Sequence, residues 1–171
     1  MAQQSTSDTW RERDGFICLS SLTSDGTTGD GWISRFKESG VNLSRYTKNA
    51  LRSSAFQPTN GISTDIVILR GALFSDAHRI ISNIRDVGTA CKFTKPNAEA
   101  ACLIRMMLTD KMIEEMGLTW IIVMHEPIKE FDRVPILLNV SRNDDGCRLD
   151  ADCDKPDNRW TRGCGFAFAL P

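Results

Sequence analysis

Long apolar runs are missing from the 171 residues. The longest, Trp120-Ile121-Ile122-Val123-Met124, is far shorter than the roughly 20 residues that cross a bilayer. No membrane partner is expected. Met1 to Arg13 is polar and carries no apolar leader segment, so the sequence predicts a cytoplasmic location. An excess of one charge is also missing. The formal net charge is -1, so no global field draws the chain toward nucleic acid, which is not an expected partner.

Catalytic signatures are equally scarce. There is no phosphate-binding glycine loop, no GxSxG and no HExxH. Only two histidines occur, His78 and His125. The expectation is therefore a protein that is not an enzyme and that needs no cofactor and no metal. Six cysteines are present, Cys18, Cys91, Cys102, Cys147, Cys153 and Cys164, but none form a CxxC pair. Without an export signal they are expected to stay free thiols. Cys102 sits in an apolar helical pattern and reads as a small buried hydrophobe.

The remaining composition, 41% hydrophobic and 25% charged, is that of one globular domain. Residues 1–14 are rich in Ser, Thr, Gln and charge and read as a disordered terminus, leaving 15–171 as a single α+β domain. Phe16 to Leu19 reads as the first strand. Trp32, Ile33 and Phe36 mark a short helix ending at Gly40. Ser44 caps a second, with Tyr46, Ala50 and Leu51 facing inward. Ile62 to Leu69 is β-branched and reads as one strand. Ser75 or Asp76 is expected to cap a helix that buries Ile80, Ile81 and Ile84 and stops at Gly88. Pro96 suits a first helical position, with Ala98 to Leu108 continuing the helix. Thr109 caps another short helix ending at Gly117. Leu118 to Met124, apolar on both faces, reads as a central strand. Ile136 to Val140 and Gly165 to Leu170 are further strands, and the N- and C-terminal strands are expected to pair with each other. Between Ser141 and Gly165 the chain is turn-rich and polar, and reads as irregular.

Two local patterns carry possible chemistry. His125-Glu126 follows the central strand, where α/β proteins often put reactive groups, and a base with a carboxylate partner would suit a small metal-dependent hydrolase. The commoner role is a histidine hydrogen-bonded at a strand end. Asp150, Asp152 and Asp154 have the 1-3-5 spacing of a calcium loop, but Lys155 stands where that loop needs glycine and Thr161 where it needs glutamate. A solvated acidic turn is the plainer reading.

The segment Asn139 to Asp150, followed by Pro156-Asp157-Asn158-Arg159-Trp160 and Gly165-Phe166-Ala167-Phe168, resembles the C-terminal variable region of proteins diversified by diversity-generating retroelements. The resemblance covers about 30 residues. It implies a C-type-lectin-like α+β fold, a phage or other mobile-element context, and a variable segment over 140–165 that binds a protein or small ligand. Substitution at the adenines of AAC-type codons reaches Asn, Ser, Asp, Gly, Ala, Thr, Arg and Cys but not Lys, Glu, Met or Trp. That set dominates from Ser141 to Cys164, with Lys155 and Trp160 outside it. The implied contact residues are Ser141, Asn143, Asp145, Cys147, Arg148, Asp150, Asp152, Cys153, Asp154, Thr161 and Cys164. The implied frame is Trp120, Leu149, Trp160, Phe166 and Phe168. The alternatives are the hydrolase built on His125 and Glu126, and a mobile-element protein that interacts through a fixed surface.

Overall fold

A computed structural model describes residues 8–129, 133–144 and 146–171. Strand β1 (Trp10–Arg13) forms a hairpin with β2 (Phe16–Leu19). Asp14 and Gly15, both at positive φ (53° and 83°), supply the tight turn that an Asp-Gly pair favours. The expected loose terminus is thus corrected over 8–14: Trp10 is 4% exposed and part of the core, and Phe16–Leu19 is the second strand. The first seven residues lie outside the described part.

After β3 (Leu22–Asp25), helix α1 (Gly29–Glu38) is capped by the Thr28 hydroxyl, which accepts from the Gly31 N–H. It buries Trp32 and Phe36. A short strand, β4 (Asn42–Leu43), leads to α2 (Arg45–Arg52), which Ser44 caps as its sequence requires. The buried stripe of α2 is Thr47, Ala50 and Leu51, and Tyr46 points outward at 63% exposure, contrary to expectation. Helical spacing puts Thr47 with Ala50 and Leu51 and Tyr46 a quarter-turn away.

The stretch expected as one strand is two. β5 (Asn60–Thr64) pairs only with β3 in a small two-stranded sheet, and β6 (Ile66–Arg70) enters the main sheet. Asp65 separates them and binds the Ser21 hydroxyl. Beyond β6, the segment 71–80 wraps around the Arg79 side chain, which is 5% exposed. Its guanidinium donates to the carbonyls of Gly71 and Phe74, each at 2.8 Å, and pairs with Asp76. That engagement takes Asp76 away from a capping role. Helix α3 (Ile81–Ala90) therefore starts later than expected, after Ile80, which has no side-chain cap. It also runs through Gly88, where it was expected to stop. A Cβ on Gly88 would meet the Phe168 ring at 2.5 Å, so this glycine allows close packing rather than ending the helix.

Helices α4 (Glu99–Met107) and α5 (Asp110–Glu115, capped by Thr109) precede β7 (Trp120–Val123). β8 (Ile128–Lys129) is brief. β9 (Pro135–Asn143) and β10 (Gly146–Cys153) form a long antiparallel hairpin, and β11 (Cys164–Ala169) closes the chain. The expected irregular segment is confined to 154–163, because β10 is a true strand. Its Leu149 and Ala151 face the core while Arg148, Asp150 and Asp152 alternate to the other side.

The main sheet runs β1-β2-β6-β11-β7-β9-β10-β4, with β8 beside β9. Most pairings are antiparallel, and β11 with β7 and β10 with β4 are parallel. β7 is interior, as its two apolar faces require. β6 separates the N-terminal hairpin from β11, so the terminal strands do not pair with each other as expected. One sheet face packs on α1, α2, α4 and α5 through Trp32, Phe36, Leu51, Ile104 and Ile113. The other packs on Ile81 and Ile84 of α3. The chain is a single mixed α+β domain with five helices among the described residues. No helix of that part is long and apolar enough to cross a membrane.

Candidate functional site

Helices α1, α2, α4 and α5 pack on the first sheet face. On the second face, α3 covers only part, and the β7–β9–β10 end carries polar groups. Residues opposite one another in register share a face. One cross-strand row on this face is Cys164, Trp120, Ser141 and Arg148, and the next is Phe166, Ile122, Asn139 and Asp150. Asp152 follows Asp150 two residues on, on the same side. Trp120, expected in the frame, is 37% exposed here.

The second row holds an unusual polar pair. Asn139 is fully buried and interrupts the apolar run Ile136-Leu137-Leu138. Its Nδ2 donates to Asp152 Oδ2 at 2.6 Å, and its Oδ1 is buried without a hydrogen-bond partner. Burial, with the charge of Asp150 added, raises the Asp152 carboxyl from 3.8 to about 6. Asp150 itself faces Arg148, whose Nη2 lies 3.4 Å from Asp150 Oδ2.

The implied contact residues divide. Arg148, Asp150 and Asp152 lie together on this face, half-buried. Ser141, between Trp120 and Arg148, and Cys164 share it but are 5% and 2% exposed, so they are not surface contacts. Burial pushes the Cys164 thiol up. Asp154 is also buried, at 7%, because the Arg85 guanidinium of α3 binds its Oδ2 at 2.6 Å. Thr161 is exposed near Cys164, with 3.4 Å between Oγ1 and Sγ. Asn143 is exposed at the end of the hairpin. Cys147 and Cys153 fall on the opposite face by alternation, and Asp145 lies outside the described residues. All six cysteines are unbridged.

Of the implied frame, Leu149, Phe166 and Phe168 are buried. Trp160 is only half-buried. Its ring lies edge-on to Phe166 with centroids 6.3 Å apart, and its Nε1 is buried without a partner. Segment 154–163 reaches it by crossing the start of α3, where Ser82 and Ile81 donate backbone N–H groups to Pro156 and Asn158 carbonyls.

His125 is a strand-end lock. It is fully buried, its Nδ1 donates to the Glu126 carbonyl at 2.7 Å, and its Nε2 accepts from the Leu138 N–H at 2.9 Å. Burial lowers its pKa to about 4, so the ring is neutral near pH 7. Both nitrogens are engaged in hydrogen bonds, so the neutral ring offers no free lone pair near pH 7. The Glu126 carboxylate turns out to solvent, and the Lys95 ammonium holds it below its ordinary range. Among the described residues no group of three or more His, Cys, Asp or Glu is arranged to hold a metal.

Sequence reasoning missed Asn139 and Arg85, and it assigned the part-exposed Trp120 to the frame. The polar interruption in the apolar run of β9 was the available signal for Asn139. Comparison with protein-family models, curated proteins and solved structures returns no match.

Proposed function

We propose that this is a binding protein that meets a protein or small ligand through the open sheet face of Trp120, Arg148, Asp150 and Asp152. The carrying observation is the cross-strand register, which puts the part-exposed Trp120 indole on β7 and charges of both signs on β10 on one sheet face, two strands apart across the buried Ser141 of β9. Strand-borne groups hold their geometry better than loop-borne ones, and Trp and Arg are both enriched in binding hot spots.

The resemblance to retroelement variable proteins belongs to the same proposal, as do a mobile-element context and residence in the cytoplasm. In its favour is the division between a buried frame (Leu149, Phe166, Phe168) and exposed or half-exposed positions of the adenine-reachable set (Asn143, Arg148, Asp150, Asp152, Cys153, Thr161). The C-type-lectin-like topology has less support, since β6 parts the terminal strands. The hydrolase alternative has little, because the His125 ring is fully engaged.

Panning a peptide-display library on the wild type and on a Trp120→Ala/Asp150→Asn variant tests the face. Binders should need both residues. Binders indifferent to the double substitution would mean that recognition lies elsewhere. The genome neighbourhood tests the retroelement part: a reverse-transcriptase gene and a near-copy of the 3′ coding end should lie close by.

A further inference from the structure

A small cavity of about 110 Å³ sits where the parallel strands β7 and β11 end, between the sheet and the C-terminal half of α3. In open parallel α/β sheets ligands bind beyond the carboxyl ends of the strands, and β7 and β11 form a local parallel pair of that kind. Met124 and the Phe168 and Phe93 rings supply apolar walls, and Arg85, Thr89 and Lys95 supply the polar ones. The two rings lean together with centroids 6.2 Å apart.

The two cations are held differently. The buried Asp154 carboxylate, 4% exposed, fixes Arg85 through one Nη2 hydrogen bond at 2.6 Å. A guanidinium carries five N–H donors in a fork that suits a carboxylate, so a fixed Arg85 keeps donors in reserve. Among the described residues Lys95 pairs with Glu126, whose side chain is 79% exposed. Such an exposed pair is weak and is replaced readily by a second anion. With Glu126 swung into solvent, Lys95 and Arg85 together outweigh Asp154.

We propose that this cavity binds a small monocarboxylic acid, its carboxylate on Arg85 and Lys95 and its apolar body against Phe93, Met124 and Phe168. The volume fits a ligand of a few heavy atoms and is well below the roughly 300 Å³ and more of drug-sized sites. The site lies under α3, apart from Trp120, Arg148, Asp150 and Asp152, and does not depend on them.

The test is titration of the full chain with butyrate and with benzoate, followed by ¹H–¹⁵N spectra. Butyramide and benzamide serve as neutral controls and inorganic phosphate as an anion with no apolar body. Saturable shifts should centre on Arg85, Thr89 and Phe93, with affinity at least about tenfold better than for the amides or phosphate. Lys95→Gln should weaken the acid by about tenfold. Glu126→Gln, which removes the competing carboxylate, should tighten it. Both positions are exposed, so neither variant endangers the fold. Equal binding of acid and amide, equal binding of phosphate, shifts centred elsewhere, an unmoved affinity in Glu126→Gln, or no saturation up to about 10 mM would each overturn the assignment.

Discussion

Asn139 reaches across the β9–β10 hairpin to donate its side-chain amide to Asp152, while the other end of that amide is buried with nothing to accept from. A fully buried residue is thereby tied to a half-buried carboxyl whose charge is disfavoured.

The first prediction follows from that carboxyl. Its folded-state pKa is raised from 3.8 to about 6. Below 3.8 both states hold the proton and nothing is lost. As pH rises through about 6 the folded state must carry a charge that burial and Asp150 oppose, so stability falls. A shift of that size corresponds to about 3 kcal/mol at most, and partial solvent contact reduces it to about 1–2 kcal/mol. Asp152→Asn should therefore melt higher than the wild type near pH 7, and the gain should vanish near pH 4. A variant that melts lower near pH 7 would show that the charged carboxylate stabilises the hairpin.

His125 runs the other way. Its pKa falls from 6.5 to about 4, so above 6.5 there is no penalty, and stability is lost as pH drops from there toward 4. The two slopes oppose each other over the same window and flatten the wild-type profile. Asp152→Asn should expose the His125 slope, with stability rising with pH, and His125→Gln should expose the opposite one. His125→Ala should cost about 2–4 kcal/mol, because the Leu138 N–H is left buried without an acceptor and a void opens. Chemical denaturation over a pH series reads all three. A wild-type-like slope in both single variants would contradict the assignment.

Gly88→Ala separates local propensity from packing. Within a helix the change ordinarily gains about 1 kcal/mol. Here the added Cβ meets the Phe168 ring at 2.5 Å, and the sheet behind that ring does not yield easily. The expected result is a loss of about 1–3 kcal/mol. A gain in melting temperature would mean that α3 sits less tightly on β11.

Where local chemistry decides an element, the sequence reads correctly. Ser44 and Thr109 cap α2 and α5, and the apolar run at Trp120–Val123 is an interior strand. Where a tertiary partner decides it, the reading fails. Asp76 looks like a cap, but the buried Arg79 claims it. β10 looks like a loop because its core face holds only Leu149 and Ala151, so the alternation is faint until β9 pairs with it. The candidate face was legible as a region but not as a surface. Alternation along a strand cannot be scored before its existence is known, and buried Ser141, Cys164 and Asp154 look no different in sequence from half-exposed Arg148 and Asp150.

The last prediction sorts the C-terminal segment by that geometry. Cys153→Ser and Thr161→Ala are exposed and should each change stability by under about 0.5 kcal/mol. Leu149→Ala and Phe166→Ala remove fully buried side chains from the two faces of the sheet and should cost about 2–5 and 3–5 kcal/mol. Asp154→Ala belongs with the costly class although the sequence groups it with the acidic turn. It leaves Arg85, whose side chain is 29% exposed, without its carboxylate, and breaking a buried pair from one side costs about 3–5 kcal/mol at full burial and less here. Trp120→Ala is the discriminating member. A residue of the frame would cost as much as Phe166→Ala. An indole at 37% exposure, standing on a strand that its neighbours already hold, should cost far less while removing binding. A thermal-melt series beside a binding assay of the same variants gives the answer. If Trp120→Ala unfolds the domain as Phe166→Ala does, the indole is structural and the open face loses its anchor.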